Sequence, residues 1–114
     1  MKPISMPKEL VAASSRPMVL SILAGGESYG YEILQRVRLL SDGRIEWSDG
    51  MLYPVLRRLE EDGLIEGQWR TMESGRRRRY YQLSGKGRKR LAKDRESWIA
   101  VHEALSLTWG GSRV

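Results

Sequence analysis

The chain contains no cysteine and a single histidine, His102. Without cysteine there is no disulfide, no thiol nucleophile and no thiolate ligand, and one imidazole cannot build a histidine metal site. The carboxylates at Glu60, Glu61 and Asp62 are typical of a solvated helix end, and no nucleophile with a matching base accompanies them. We therefore expect no catalytic centre, no cofactor and no metal, and the chain is not predicted to be an enzyme.

The sequence also lacks a long hydrophobic run. No stretch approaches the roughly 18 apolar residues of a membrane-spanning helix, and no basic, apolar and small-residue signal peptide opens the chain. A cytoplasmic protein with no membrane partner is the resulting expectation. A chain of 114 residues suffices for one domain with a modest core.

Positive charge is in excess. The chain has 20 lysines and arginines against 14 acidic residues, a formal net charge of +6. The basic residues concentrate between Arg76 and Arg95. This distribution favours a polyanionic partner, although charge alone does not separate nucleic acid from an acidic protein.

Residues 48 to 63 predict an amphipathic helix. Its apolar positions follow a period of 3.6 residues: Leu52, Val55, Leu56 and Leu59. Ser48 is placed to cap the N-terminus and Gly63 to end the helix, which is predicted from about Asp49 to Asp62. Pro54 removes one backbone hydrogen bond and is predicted to kink the helix.

A β-hairpin is predicted to follow this helix. Residues 64 to 71 alternate, with Ile65 and Trp69 on one face, and the returning strand runs from Arg76 to Leu83. Gly75 supplies the backbone freedom that the turn needs. The returning strand opens with four consecutive arginines, and side-chain alternation prevents all four from sharing one surface. A helix beside an arginine-tipped hairpin is typical of a winged-helix DNA-binding unit.

Two further helices are predicted before this unit. The first covers residues 6 to 23 and ends at Gly25 and Gly26, and the sequence around Pro17 leaves open one kinked helix or two short ones. The second is predicted to be capped by Ser28 and to end at residues 41 to 43. Its apolar face is predicted to hold Tyr29, Ile33, Val37 and Leu40, with Leu34 beside it. A brief extended segment over residues 44 to 47 then leads into the Ser48 cap.

A final helix is predicted from about Arg88 to about Trp109. Leu91, Trp98 and Leu105 are seven residues apart, with Val101 between the last two. A lone winged helix has no surface left for this stripe, which is therefore predicted to form a homodimer that presents two recognition helices to successive major grooves. The expected fold is mainly α (α+β): a winged helix-turn-helix with a two-stranded wing over residues 1–84, a long C-terminal dimerisation helix over 85–109 and a disordered tail over 110–114.

Three segments resemble the PadR family of transcriptional regulators: S-Y-G-Y-E-I from Ser28, L-Y-P-V-L-R-R-L-E-E-D-G-L-I from Leu52 and G-R-R-R-R-Y-Y-Q-L-S-G-K-G from Gly75. The similarity spans about residues 10 to 107. The short chain with one C-terminal helix is similar to the compact subgroup of that family, whose members are dimeric repressors. The resemblance implies a DNA-binding, ligand-responsive regulator whose partner is double-stranded operator DNA. It also implies residues at or near DNA: Tyr31, Ser48, Gly50, Met51, Tyr53 and Arg57, with Arg76, Arg77 and Arg78 in the wing.

Each of these assignments has an alternative. Tyr31 and Tyr53 can be partly buried aromatics whose hydroxyls find a polar partner within the chain, and Met51 is ambiguous in the same way. Arg57 and Arg58 can pair with acidic neighbours at helical spacing, and wing arginines can simply protect an edge strand. The alternative function is a winged helix that assembles with an acidic protein instead of reading DNA.

The resemblance also implies a ligand site. In multidrug-sensing members of the compact subgroup, a tryptophan in a similar Glu-Ser-Trp context lines a pore at the dimer centre. Residues 95 to 98 are similar here, which gives the hypothesis that a planar aromatic ligand binds between two Trp98 rings, with Leu10, Leu91, Val101 and His102 as walls. His102 in place of a carboxylate favours an anionic, phenolic ligand no less than a cation. The alternative is that Trp98 is interface core and binds no small molecule.

Overall fold

Seven secondary-structure elements follow one another in the computed structural model, which describes residues 2 to 110. They are α1 (Lys8–Ala24), β1 (Ser28–Tyr29), α2 (Gly30–Leu40), α3 (Asp49–Glu61), β2 (Ile65–Thr71), β3 (Arg77–Leu83) and α4 (Gly85–Thr108). The strands form an antiparallel sheet in the order β1-β3-β2. Helices α1 to α3 with the β2–β3 hairpin form a winged helix, and α4 is the C-terminal helix that the sequence predicted.

Helices α1, α2 and α3 and the sheet enclose one hydrophobic core. Its largest fully buried side chains are Leu20, Ile33, Leu52, Leu56, Ile65, Val19 and Val37. The stripe predicted for α3 is confirmed, because Leu52, Leu56 and Leu59 are buried and Val55 packs against them. The core therefore fixes which face of α3 remains free.

Helix α1 is continuous through Pro17, which answers the question that the sequence left open. Proline removes a backbone donor from the helix interior. Two hydroxyls donate to carbonyl groups about one turn earlier: Ser14 Oγ to the Leu10 carbonyl at 2.6 Å and Ser15 Oγ to the Ala12 carbonyl at 3.1 Å. Helix α3 likewise runs unbroken through Pro54.

The prediction for α2 was wrong at its N-terminus and on its apolar face, whereas the predicted end at residues 41 to 43 is confirmed, because α2 ends at Leu40 with Ser41 as its C-cap. Ser28 does not cap the helix; it lies in β1 opposite Tyr81, and its hydroxyl donates to Glu32 Oε1 at 2.5 Å. Tyr29 is the residue at the N-cap, and Leu40 is 64% exposed instead of buried. Strand β1 adds a third strand to the expected two-stranded hairpin. It was not predicted, because two residues are too few to show the alternation of a strand.

Residues 44 to 47 lead into α3 without forming a regular strand. Trp47 is nevertheless buried, and the Arg44 carbonyl accepts a hydrogen bond from the backbone N–H of Ile4 at 2.9 Å. Residues 44 to 47 are therefore held in place by the buried Trp47 side chain and by the hydrogen bond from Ile4 in the N-terminal arm. It delivers the chain to Ser48 at the start of α3.

Helix α4 begins about three residues earlier than predicted. Ser84 caps it, accepting from the Gly87 backbone N–H at 2.9 Å. A Cβ at position 87 would lie 2.1 Å from the Leu64 carbonyl oxygen, so only glycine permits this close approach. Leu91 belongs to the core of its own chain, and the first half of α4 packs on α1. The predicted tail falls, apart from Gly110, outside the described residues.

Candidate nucleic-acid interface

A cleft of about 720 Å³ lies between the sheet and the starts of α2 and α3. It is lined by aromatic rings and guanidinium groups: Tyr29, Gly30, Tyr31, Tyr53, Trp69, Arg76, Arg77, Arg78, Arg79 and Tyr81. Tyrosine hydroxyls and arginine N–H groups are donors that phosphate oxygens accept. The cleft therefore has the chemistry of a surface for a sugar-phosphate strand.

The N-terminus of α3 opens beside this cleft. Ser48 Oγ accepts from the Met51 backbone N–H at 3.2 Å, which confirms the predicted cap. Gly50 is exposed, and a Cβ there would meet nothing closer than Ser48 Oγ at 3.9 Å. Packing within the chain therefore does not require glycine at position 50. Met51 is half-buried against the core, so only part of it faces outward.

Two tyrosines project from the starts of α2 and α3. Tyr31 is 63% exposed and its hydroxyl accepts from Gln35 Nε2 at 2.7 Å. Tyr53 is 48% exposed, and its ring lies against Gly30, where a Cβ would be 2.4 Å from the Tyr53 hydroxyl. These exposures disfavour the alternative of buried aromatics. Arg57 is exposed as well and forms no ion pair within residues 2 to 110.

The inner face of the wing carries a tryptophan between two arginines. Trp69 is 52% exposed, with Arg77 Cζ 4.9 Å and Arg79 Cζ 5.5 Å from its ring centroid. Arg79 also forms an ion pair with Glu60 on α3. A Cβ at Gly67 would lie 2.6 Å from Arg79 Nε, so glycine opens the path for this side chain. The charge of Arg79 is therefore used within the chain, whereas that of Arg77 is not.

The outer face of the wing carries a stack of alternating cations and rings. Arg78 lies 4.0 Å over the Tyr29 ring, Tyr29 meets Tyr80 edge to face at 5.3 Å, and Arg70 lies 4.4 Å over Tyr80. Arg70 ends the stack with two hydrogen bonds of 2.6 Å to Glu27. Hydrogen bonding to Arg70 lowers the pKa of Glu27 below its ordinary value. The stack ties β1 to the wing and fixes where Arg78 points.

The register of the hairpin places Arg77 and Arg79 on one face of the sheet and Arg78 on the other, as side-chain alternation predicted, although all four wing arginines border the same cleft. Trp69 lies opposite Arg79, and Arg70 lies opposite Arg78. Sequence reasoning missed Trp69 and Arg70 as parts of this surface, and it missed the glycines at 30 and 67. The consecutive tyrosines Tyr80 and Tyr81 of β3 were the available signal, whereas the partner that the stack meets in β1 is distant in the chain.

The structure brings together only some of the residues that the sequence predicted for ligand binding. Ser97, Trp98 and Val101 form a shallow recess of about 110 Å³ on one face of α4. Leu10 on α1 is 41% exposed. Leu91, expected on both the ligand wall and the dimer surface, is 9% exposed and packs in the core of its own chain. It therefore offers almost no surface to a ligand or a partner.

The described part of the chain contains neither a membrane-spanning helix nor a cluster of metal-binding side chains. No helix within residues 2 to 110 is long and apolar enough to cross a bilayer. The same residues contain no group of three or more histidine, cysteine, aspartate or glutamate side chains placed to hold a metal ion.

Residues 19–93 match the PadR-like family of transcriptional regulators. Transcriptional regulator Rv3488 of Mycobacterium tuberculosis is 37% identical over 104 residues, which cover 91% of each chain. A transcriptional regulator from Clostridium thermocellum, Cth-833, is similar in structure, with a TM-score of 0.80 and 27% identity over 90% of this chain and 96% of that one. A PadR-like transcriptional regulator from Bacillus cereus, BC4206, gives a TM-score of 0.77 and 27% identity over 92% of this chain and 100% of the other. The chain therefore belongs to the PadR-like family of transcriptional regulators, which are DNA-binding proteins and not enzymes.

Proposed function

We propose that the protein is a homodimeric, ligand-responsive repressor that acts on operator DNA in the cytoplasm. The observation that carries the proposal is the cleft in which Tyr31 and Tyr53 face the arginines of the wing. A winged helix places its recognition helix in the major groove and its wing against the neighbouring backbone, so that a phosphodiester strand passes between the two. The cleft supplies donors on both of its sides.

The proposed contacts follow from which groups are free. The first turns of α3 enter the major groove with Ser48, Gly50, the exposed part of Met51, Tyr53 and Arg57. Arg76, Arg77 and Arg78 have no carboxylate partner within residues 2 to 110, and they bind phosphates, with Tyr31 facing the strand from α2. Arg70 and Arg79 already have carboxylate partners and serve to position the wing. Phosphate contacts of this kind set orientation, while contacts to base edges set sequence preference.

The proposed dimer rests on the second half of α4. Its large apolar side chains are exposed within one chain: Ile99 51%, Val101 53%, Leu105 42%, Leu107 46% and Trp109 72%. A stable interface buries roughly 800 Å² on each partner, with an apolar centre. A second copy of α4 supplies a matching apolar face under two-fold symmetry. Trp98, Val101 and Leu105 are the proposed contacts from the stripe, without Leu91.

The proposed effector is a planar aromatic molecule between the two Trp98 rings. Two copies are needed, because the recess at Trp98 in one chain is shallow. Leu10, Val101 and His102 are the proposed walls, and His102 favours an anionic, phenolic ligand. Such a ligand relieves repression only if it binds more tightly to the dimer arrangement that fits the operator poorly.

The test of DNA recognition is a binding assay on the promoter region of the chain's own gene at moderate salt. We expect Arg57→Ala to weaken operator binding by about tenfold or more, since a base or phosphate contact is worth roughly 1–3 kcal/mol. Arg77→Ala should weaken binding to operator and random DNA alike and reduce the salt slope of the proposed dimer by about 2, about 1 for each protomer. Arg95→Ala, on the exposed surface of α4, is the control. Equal, salt-sensitive binding to operator and random DNA would contradict the proposal and favour assembly with an acidic protein.

The test of the effector site uses tryptophan fluorescence. The chain has 4 tryptophans, so the Trp98 signal is isolated by comparing the parent with Trp98→Phe and with Trp109→Phe. We expect a phenolic acid, a flat aromatic cation or a neutral planar compound to quench the parent and Trp109→Phe, and not Trp98→Phe. No response of the parent to any of the three would leave Trp98 as interface core only.

A further inference from the structure

The first half of α4 carries positive charge that the DNA-reading surface does not use. Residues 86 to 95 contain six lysines and arginines and one acidic residue, Asp94. Asp94 is buried and bound by Arg16 through two hydrogen bonds of 2.9 Å, so it does not compensate the surface. Lys86 Nζ is also occupied, because it donates to the Asp62 carbonyl at 2.8 Å. The remaining cations are exposed and take part in no ion pair of the described chain: Arg88, Lys89, Arg90, Lys93 and Arg95.

Three of these cations share one face of the helix. At about 100° per residue, Lys89, Arg90 and Lys93 fall within an arc of roughly 100°, and we call these three residues the basic strip. Arg88 and Arg95 lie on the opposite side of the stripe that Leu91 buries against α1. The chain thus offers a natural comparison between two exposed charged faces of one helix.

The position of this charge opposes the stability of the helix itself. The first turn of α4 contains no acidic residue to match the partial positive charge of a helix N-terminus, and Lys86 and Arg88 lie in it, whereas Lys89, Arg90 and Lys93 lie beyond that turn. Cations at i and i+4, such as Lys89 and Lys93, also repel one another. A pattern that local physics disfavours points to a contact with another molecule.

The basic strip lies far from the end of α3 that meets the operator in the proposed function. Ser84 Oγ donates to the Gly63 carbonyl at 2.7 Å, so α4 starts where α3 ends. Arg16 binds Asp94 of α4 and interacts electrostatically with Asp62 at the end of α3, so this part of α4 stays near the C-terminal end of α3. A helix of 13 residues is roughly 20 Å long, so the basic strip lies on the order of 20 Å from Ser48. A DNA segment read by the N-terminal turn of α3 therefore does not reach the basic strip unless it bends or a second segment approaches.

The composition of the basic strip indicates the chemistry of its partner. Protein interfaces are depleted in lysine and enriched in aromatic residues, whereas the basic strip contains two lysines and an arginine, with Ala92, Glu96 and Ser97 as its neighbours on the helix surface. Lysine binds phosphate as a point charge, and arginine binds it with two parallel N–H donors. Neither contact needs an apolar side chain in the interface. We propose that Lys89, Arg90 and Lys93 bind the sugar-phosphate backbone of DNA outside the half-site read by α3 of the same protomer. This inference rests on the proposed half-site reading by α3.

The test compares two duplexes that contain the same operator. The short duplex ends at the half-sites, and the long one extends by about two helical turns on each side. The strip variant is Lys89→Gln/Lys93→Gln, and Arg88→Gln/Arg95→Gln removes the same charge from the other face. Affinities are measured as a function of KCl concentration with the full-length chain, after circular dichroism has verified equal helix content.

We expect the strip variant to bind the long duplex more weakly, with a salt slope reduced by about 3.6, since each phosphate that a cation neutralises contributes roughly 0.9 to the slope and the proposed dimer loses two lysines from each of its two protomers. Its affinity for the short duplex should change by no more than about twofold, as should both affinities of the control variant. A strip variant equal to the control on the long duplex would overturn the proposal and leave an acidic protein as the partner. An equal decrease on both duplexes would overturn it as well, since the basic strip would then belong to the half-site interface.

Failure of the proposed function is distinguishable from failure of this inference. A parent protein that binds operator and random DNA equally would contradict recognition by α3. The two variants would then be compared on the long random duplex, where a selective decrease in the affinity of the strip variant upholds the phosphate contact. No selective decrease there would overturn it.

Discussion

Helix α3 and the second half of α4 carry similar apolar stripes with opposite outcomes. In α3, Leu52 and Leu56 are fully buried. In α4, Val101 is 53% and Leu105 is 42% exposed. The comparison teaches that periodicity reveals that a helix has an apolar face, while the rest of the chain decides whether that face is covered from within. A stripe left uncovered is a surface for another molecule.

The change from a covered to an uncovered apolar face takes place within α4. Leu91 and Asp94 are buried against α1, Trp98 is half-buried and Ile99 is exposed. The first half of the helix therefore belongs to the winged-helix core. The second half extends beyond it, which is why the boundary between core and partner surface falls inside one element.

The largest expected effect comes from removing a buried side chain from the apolar stripe of α3. Leu56→Ala removes a fully buried side chain from α3, and we expect it to lower the free energy of unfolding by about 3 kcal/mol, because apolar burial is reduced and a cavity forms. Urea denaturation followed by circular dichroism measures this. Leu39→Ala, at a position that is 75% exposed, is the matched control and should cost less than about 0.5 kcal/mol. Similar losses in the two variants would contradict the described core.

The next effect concerns the uncovered stripe. Val101→Glu/Leu105→Glu places two carboxylates at the centre of the proposed interface, and we expect the dimer dissociation constant to rise by more than about tenfold, since unpaired buried charges are costly. Sedimentation velocity at several concentrations measures the change. Ala92→Glu/Ala100→Glu adds the same charge to other exposed positions and should leave the dimer intact. Equal dissociation of both variants, or a monomeric parent, would refute the proposed interface.

A smaller effect is expected at Asp94, near the point where α4 changes from a covered to an uncovered apolar face. Asp94→Asn removes the carboxylate that holds Arg16, and we expect a loss of about 1–2 kcal/mol of unfolding free energy; the Arg16 side chain is 42% exposed, so the value for a buried pair is discounted. A double-mutant cycle with Arg16→Gln isolates the pair. Hydrogen bonding to Asp94 raises the pKa of Arg16, so the contribution should persist into alkaline solution. Additive losses in the cycle would mean that the pair contributes nothing of its own.

The smallest effect contrasts a covered tyrosine with an uncovered one. Burial raises the pKa of Tyr81 above its ordinary value. The unfolded chain therefore ionises first as pH rises past about 10, and stability declines from there until the folded pKa is passed. Unfolding by urea at pH 8 and at pH 11 should show a smaller decline for Tyr81→Phe than for the parent. Tyr31→Phe, at a 63% exposed position, should decline as the parent does.

Local patterns in the sequence predicted what is local in the structure. The Ser48 cap, the α3 stripe, the end at Gly63 and the side-chain alternation of the hairpin follow from neighbouring residues, and each was predictable. The same reasoning placed Leu91 and Leu105 on one surface because they share a heptad position. It could not tell that α1 covers Leu91 and leaves Leu105 exposed, since that depends on how long α1 is and where it lies.

The contacts that hold the wing and α4 in place were not predictable, because they join distant parts of the chain. Arg70 meets Glu27 across 43 residues, and Arg16 meets Asp94 across 78. Any arginine near any glutamate in a charged sequence is a candidate, so charge alone does not select the pair. Strand β1 was missed for a similar reason: its two residues become a strand only because Tyr80 and Tyr81 lie opposite them.

The close approach of Gly87 to the Leu64 carbonyl limits how this protein can be recombined with others. The Ser84 backbone N–H also donates to that carbonyl at 3.1 Å, so the start of the wing and the first turn of α4 are built as one piece. A chimera that exchanges the C-terminal helix for that of another family member cannot be joined at the strand–helix boundary near residue 84. The junction belongs after residue 94, where the imported segment would replace the exposed apolar half of α4 and leave the winged-helix core intact.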